Sequence, residues 1–246
     1  MPDLEWNHRI WDATHGWEKQ GDEWSVAWGG ARSQWYGSIL PRMHRYLPTT
    51  RILEIAPGRG RWTQFLIPLC VEYIGVDLSP TCIEACRGRF SAAPRARFFT
   101  NDGKSLAMAP DASFDLVFSL DSLVHVEADV LAEYMWQICQ KLTPTGVAFI
   151  HHSNAAGEGS DMDEARRGAR GESVSSALVR QLVADCGHVV RVQEEVGWVG
   201  ASRTDCFTLF GPPTAFPRAE PILLQNDEFG TERDLVRRFQ APWAAD

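Results

Sequence analysis

An α/β fold, with a mostly parallel sheet and helices on both faces, is predicted by three observations. Arg51-Ile-Leu-Glu-Ile-Ala-Pro-Gly-Arg-Gly-Arg-Trp62 runs from a short apolar stretch into a glycine-bearing turn. Tyr73-Ile-Gly-Val-Asp77 is a second apolar run, and it stops at a carboxylate. Two more apolar runs, Phe114–Ser119 and Val147–His152, follow with a helix-length segment between them. Short apolar runs bounded by turn residues read as buried strands, and strands alternating with helical segments build a parallel sheet.

The first strand and its turn suit a nucleotide-like ligand, because glycine lets backbone approach where a Cβ would clash. An acid about twenty residues beyond such a turn suits a ribose, whose two hydroxyl donors both point at one carboxylate. A dinucleotide fingerprint would place a third glycine where Thr63 stands. Glu54, beside the turn, would repel a pyrophosphate but would suit a ligand carrying an ammonium and a sulfonium.

On these residues the chain resembles the class I S-adenosylmethionine-dependent methyltransferases. The acid-x-Gly-x-Gly-x-Gly motif is matched by Glu54-x-Ala56-x-Gly58-x-Gly60, with alanine at the first glycine. The resemblance spans roughly residues 48 to 211. It implies a Rossmann-like, seven-stranded, mostly parallel sheet of order 3-2-1-4-5-7-6, with an N-terminal helical lid. Arg97-Phe-Phe-Thr-Asn-Asp-Gly103 is then the third strand and its adenine-side turn, and Leu120-Asp-Ser-Leu-Val-His125 the active-site loop after the fourth. The cofactor set implied is Glu54, Ala56, Gly58, Gly60, Trp62, Asp77, Leu78, Asn101, Asp102, Gly103 and Leu120. After the fifth strand, Gly171–Gly187 reads as a helix closed by glycine. Val189–Val196 and Asp205–Phe210 then supply strands six and seven. A polar tail from residue 212 follows, with a docking helix expected over Glu232–Gln240.

The 246 residues carry no low-complexity linker or internal repeat, so one domain is expected: a lid at 1–47, a core at 48–211 and a tail at 212–246. Six cysteines without paired spacing read as buried, reduced thiols. The start, Met-Pro-Asp-Leu-Glu, lacks a basic and an apolar region, so a cytoplasmic enzyme is expected. No apolar run approaches ~20 residues, so no membrane span is expected. A net charge of -8 argues against a nucleic-acid partner, since phosphate binding needs a basic surface. A homo-oligomer is compatible with all of this.

Acceptor chemistry has to come from around the cofactor core. Residues 1–47 hold six of the ten tryptophans: Trp6, Trp11, Trp17, Trp24, Trp28 and Trp35. Some of these indoles pack the segment onto the core. Flat faces with an N–H donor also suit sugar rings, which makes Trp24, Trp28, Trp35 and Tyr36 acceptor-side candidates, joined by Trp198. Arg166, Arg167 and Arg170 form a local basic cluster that reads as a solvated loop or as a site for an anionic substrate group. Methylating an alcohol requires a general base, and histidine suits neutral pH. His125 follows the fourth strand, with Asp121 one helical turn before it; His151 and His152 end the fifth, and alternation sends them to opposite faces. His152, followed by Ser153 and by Asn154, polar groups able to bind substrate hydroxyls, ranks with His125 as base. A divalent cation such as Mg²⁺, held by Asp121, His152 and Asp205, is the competing means of activating a hydroxyl.

The wider pattern, including Asn101-Asp-Gly-Lys-Ser and His151-His-Ser-Asn154, resembles bacterial methyltransferases of polysaccharide biosynthesis, the methylmannose polysaccharide type among them. That resemblance implies a small-molecule carbohydrate acceptor and O-methylation. An aromatic or amine acceptor, and a non-catalytic cofactor-binding module, are the other readings the sequence allows.

Overall fold

The computed structural model describes residues 2–198, 200–217 and 220–244. Eight strands form among them: β1 Thr49–Ile55, β2 Cys70–Asp77, β3 Ala96–Thr100, β4 Phe114–Ser119, β5 Leu142–Ser153, β6 Val189–Val196, β7 Asp205–Gly211 and β8 Ile222–Asn226. They make one sheet in the order β3-β2-β1-β4-β5-β7-β6-β8. The first five are parallel, and β7 runs antiparallel to both β5 and β6. The sheet therefore has eight strands and not the expected seven. The extra one, β8, pairs parallel with β6, Val192 opposite Ile222 through Val196 opposite Asn226. Its apolar part is only Ile222-Leu-Leu224, too short to stand out from a polar tail.

Alternation along β1 sets the two layers. Leu53 and Ile55 face the helices Ala128–Lys141 and Ser176–Asp185, while Ile52 faces a layer containing Trp35, Ile39 and Met43. Burial on both faces is what a central parallel strand requires. The helix after β2, Pro80–Arg89, starts at a Ser79 cap whose Oγ accepts from the Cys82 N–H at 3.1 Å. The helix Ser176–Asp185 is capped in the same way by Ser175.

The N-terminal segment is a series of short helical pieces. Gly29 and Gly30 both have positive φ, at +84° and +113°, and this divides the segment as the tandem glycines suggest. The pieces after them, over residues 31–43, lie on the sheet and bury Trp35, Ile39 and Met43. Trp28 and Trp35 thus sit in the core: Trp35 stacks on Phe65 at 5.2 Å and Trp28 meets Phe229 edge-on at 5.3 Å. The tail returns as a helical run over residues 229–244 and docks on this layer. A Cβ on Gly37 would come within 2.7 Å of Val236.

Arg42 ties these parts together. Its guanidinium donates to both carboxylate oxygens of Glu194 on β6 at 2.8 Å and to both of Glu232 in the tail helix at 2.7 Å, while Phe207 and Phe229 lie against it. Replacing Arg42 with Met leaves two carboxylates facing each other without their cation. This should lower unfolding free energy by about 3 kcal/mol in urea titrations and expose the tail helix to limited proteolysis.

Candidate functional site

The carboxyl ends of β1, β2 and β4 open on one cavity of about 400 Å³, where a sheet with outward-running parallel strands holds a ligand. The turn after β1 forms its floor. Ala56 has φ +57°, a left-handed backbone that glycine adopts more readily, and Gly58 also has φ +57°. A Cβ on Gly58 would stand 2.9 Å from the ring of Trp17. Gly60 serves packing: its added Cβ would meet Phe90 at 2.5 Å.

Asp77 ends β2 and lines the cavity. Its two oxygens accept the N–H groups of Gly58 and Ser79, both at 2.9 Å, so the carboxylate fixes the turn while each oxygen keeps a lone pair for a ligand. Burial pushes its carboxyl up to about 6, against those hydrogen bonds. Leu78, Gly103 and Leu120 line the same space, as does Trp62. Asn101 and Asp102 stand behind it and build the turn: Asn101 accepts from the Gly103 N–H, and Asp102 from the Lys104 and Ser105 N–H groups.

Glu54 departs most from expectation. It projects to the layer opposite Leu53, where it accepts hydrogen bonds from Thr63 Oγ1 at 2.7 Å and from the Tyr73 hydroxyl. It is no part of the cavity wall. Burial pushes its carboxyl up to about 7, against both of these hydrogen bonds.

The opposite wall is aromatic. Trp6, Trp11, Trp17, Trp24 and Trp198 all line it. Asn7 organises part of this wall: its amide donates to the His125 carbonyl at 2.7 Å and accepts from Trp11 Nε1 at 2.9 Å. Asp12 anchors the segment lower down, accepting from Ser79 Oγ and Thr81 Oγ1. Trp17, Trp24, Trp28 and Trp35 are spaced by seven, four and seven residues, a period that one unbroken helix would place on a single face. The positive φ of Trp17, Gln20 and Gly21 breaks that period, so the first two reach the cavity and the others the core. Tyr36 is exposed beside Phe65 and is not part of this wall.

The expected bases separate clearly. His125 lines the cavity, and its Nδ1 lies 2.8 Å from the Ala169 carbonyl. A carbonyl only accepts, so Nδ1 carries the proton and the Nε2 lone pair is left to the cavity. Burial, with the Arg170 charge adding to it, lowers this imidazole to about 4. His152 instead lies outside the cavity wall, its ring nitrogens bonded to the Ser153 carbonyl and to Thr208 Oγ1, both at 2.8 Å. Asn154 is likewise internal, donating to the Arg203 carbonyl and accepting from the Ser176 N–H.

Charges at the rim are paired. Asp121 binds Arg61 at 2.8 Å and does not reach for His125. Asp205 lies 2.9 Å from Arg170 and 3.0 Å from His151 Nε2. Burial works against the Asp205 carboxylate, but Arg170 and His151 prevail and hold it at about 2. Arg166 pairs with Glu172 at the surface, and Arg167 alone of that cluster is exposed on the cavity wall. The proposed metal donors therefore do not converge: Asp121 and Asp205 each hold an arginine, and His152 faces elsewhere. Among the described residues no group of three or more His, Cys, Asp or Glu side chains is placed to hold a metal ion. No helix among them is long and apolar enough to cross a membrane.

Arg61 and Asn7 enter the wall without a strong signal in the sequence. Arg61 directly follows the glycine turn, and that adjacency is the one cue it offers. The state of Glu54 gives a test in the ligand-free protein. A carboxyl raised in the fold contributes stability below its unfolded value, near 4.5, and loses it as pH rises through 7. Glu54→Gln should therefore gain on the parent between pH 4.5 and 8 by about 3 kcal/mol, read from urea midpoints across that range.

Residues 52–146 match the family described as methyltransferase domain. A stretch of 70 residues is 34% identical to a non-reducing polyketide synthase of Aspergillus terreus; it covers 26% of this chain, which spans only 3% of that protein's length. In fold, the chain is similar to the PH0226 protein from Pyrococcus horikoshii, with TM-score 0.57, 22% identity and coverage of 74% of this chain and 93% of that one. It is similar also to an S-adenosylmethionine-dependent methyltransferase from Clostridium acetobutylicum, with TM-score 0.57, 16% identity and coverage of 74% and 91%. The glycine turn and the carboxylate that braces it lie inside the stretch that matches a methyltransferase domain, and the sheet around them is a fold shared with these solved structures.

Proposed function

We propose that this domain takes S-adenosylmethionine as its methyl donor and methylates a hydroxyl group of a sugar or oligosaccharide. The observation that carries the reading is His125: a neutral imidazole, locked in one tautomer by the Ala169 carbonyl, with its Nε2 lone pair toward a cavity walled by indoles. Residues 1–47 act as an acceptor-side lid on the core at 48–211, and the tail at 212–246 buttresses that lid.

The residues at the strand ends fit the nucleoside end of the cofactor. Asp77 offers lone pairs to the ribose diol, and Ala56 and Gly58 keep the floor free of bulk. Leu78 and Gly103 flank the base. Bound there, the cofactor supplies a methyl group on a sulfonium, an electrophile that needs only a nucleophile held in line. His125 Nε2 accepts the hydroxyl proton as attack proceeds. Trp6 and Trp11, with ring centroids 6.2 and 5.1 Å from that imidazole, exclude water and present flat apolar faces to the acceptor ring. Arg167 and Trp198 border the acceptor end.

A methyl-transfer screen with labelled cofactor over free sugars, oligosaccharides, nucleotide sugars and phenols tests the acceptor. Labelling of phenols alone would remove the carbohydrate reading. His125→Ala should lower kcat by ~10² with little change in cofactor affinity. Because a base must be unprotonated to act, and this one is lowered to about 4, kcat/KM should hold steady from pH 8 to 5 and fall only near pH 4. With the acidic donors tied to arginines, turnover should survive treatment with EDTA.

A further inference from the structure

Glu54 is engaged by Thr63 and Tyr73, so it does not serve the charged end of the methyl donor. Another pair stands across the rim. Arg61 leaves the glycine turn and Asp121 follows β4; both line the cavity, with side chains only 6% and 9% exposed. One terminal nitrogen of Arg61 binds Asp121 Oδ2, whereas the other has only a long 3.5 Å contact to Ser25 Oγ. Asp121 Oδ1 accepts no hydrogen bond from the described residues and is not sealed from the cavity.

We propose that Arg61 and Asp121 hold the α-amino-carboxylate end of S-adenosylmethionine, Arg61 taking the carboxylate and Asp121 the ammonium. The proposal rests on the cofactor assignment and is independent of the acceptor. Charge balance favours it. A lone ion is costly to desolvate, but a zwitterion set against an existing ion pair makes an alternating array in which every charge meets its opposite. The faces of Trp62 and Trp24, 4.6 and 5.3 Å from the guanidinium, keep water from competing.

Placement favours it as well. β1 lies between β2 and β4, and two strand spacings of ~4.8 Å put the end of β4 about 10 Å from the end of β2. Asp77 at the end of β2 takes the ribose, so the pair lies across β1 on the side where the methionyl chain must run. Asp121 is also held in place. Its backbone has φ +60°, and its N–H donates to His151 Nδ1 at 3.1 Å, with Asp205 behind the imidazole. Burial opposes ionisation of Asp121, but Arg61, Arg170 and His151 prevail and hold its carboxyl below the ordinary range, as binding an ammonium requires.

Equilibrium titration with S-adenosylhomocysteine and with 5′-methylthioadenosine, which lacks the amino-carboxylate, separates this subsite from the nucleoside site. Wild-type protein should prefer S-adenosylhomocysteine by ~10²-fold or more. Arg61→Met should bring the two ligands within ~10-fold by weakening S-adenosylhomocysteine alone. The double variant Arg61→Met with Asp121→Asn removes the orphaned charge and keeps a residue that tolerates left-handed backbone, so it should fold and show the same levelling. Equal wild-type affinity for both ligands would overturn the subsite and leave the nucleoside site standing, and binding of neither would overturn both. A preference that survives in the folded double variant, with acceptor KM raised instead, would overturn the proposal by assigning the pair to the acceptor.

Discussion

Charge withdrawn from water has to be matched, and that constraint organises the carboxyl edge of the sheet. Asp77 ends β2, Asp121 follows β4 and Asp205 opens β7; Asp77 and Asp205 are buried, and the Asp121 side chain is nearly so. Asp77 is answered by backbone N–H groups, Asp121 by Arg61 and Asp205 by Arg170 and His151. An unmatched carboxylate here would protonate or draw in water, and the loops around it would lose their set positions. The geometry of the site follows from the matching: the glycine turn is held by Asp77, and the loop after β4 by Arg61 and His151.

The same rule acts on a larger scale at the far side of the molecule. Arg42 joins the N-terminal helical layer, β6 and the tail helix through two carboxylates at once. Segments from both ends of the chain are therefore fixed to one another as well as to the sheet. The N-terminal residues that line the cavity inherit this support, because they lead directly into the layer that Arg42 secures. A wall made of short helical pieces can in this way present side chains at set positions without a long helix to carry them.

What could be read in the sequence follows from which interactions are local. The glycine turn, the carboxylate at Asp77 and the positions of the first seven strands along the chain depend on short apolar runs and turn residues, and all are visible in one pass, whereas the order of those strands in the sheet comes from the family resemblance. The partner of a buried charge is a long-range matter: Arg61 meets Asp121 across 60 positions, and Arg170 meets Asp205 across 35. Alternation correctly separated His151 from His152, yet β5 is covered on both faces and neither face is marked as the ligand side. Glu54 shows the limit of motif reasoning. Its place beside the turn is fixed by sequence, while its direction depends on Tyr73 in a neighbouring strand. Polar residues after β5 misled for a related reason, since Asn154 can satisfy backbone groups as readily as a ligand.

Trp17 rests its ring over Gly58, closer than a methyl group could tolerate. The absence of a side chain at position 58 is thus set by an aromatic neighbour as well as by backbone conformation and by whatever binds there. The two positions behave as one unit of variation. A larger residue at 58 becomes sterically admissible only with a smaller one at 17, and effects of the two substitutions should be strongly non-additive. A motif usually regarded as self-contained is here conditional on a residue from outside it.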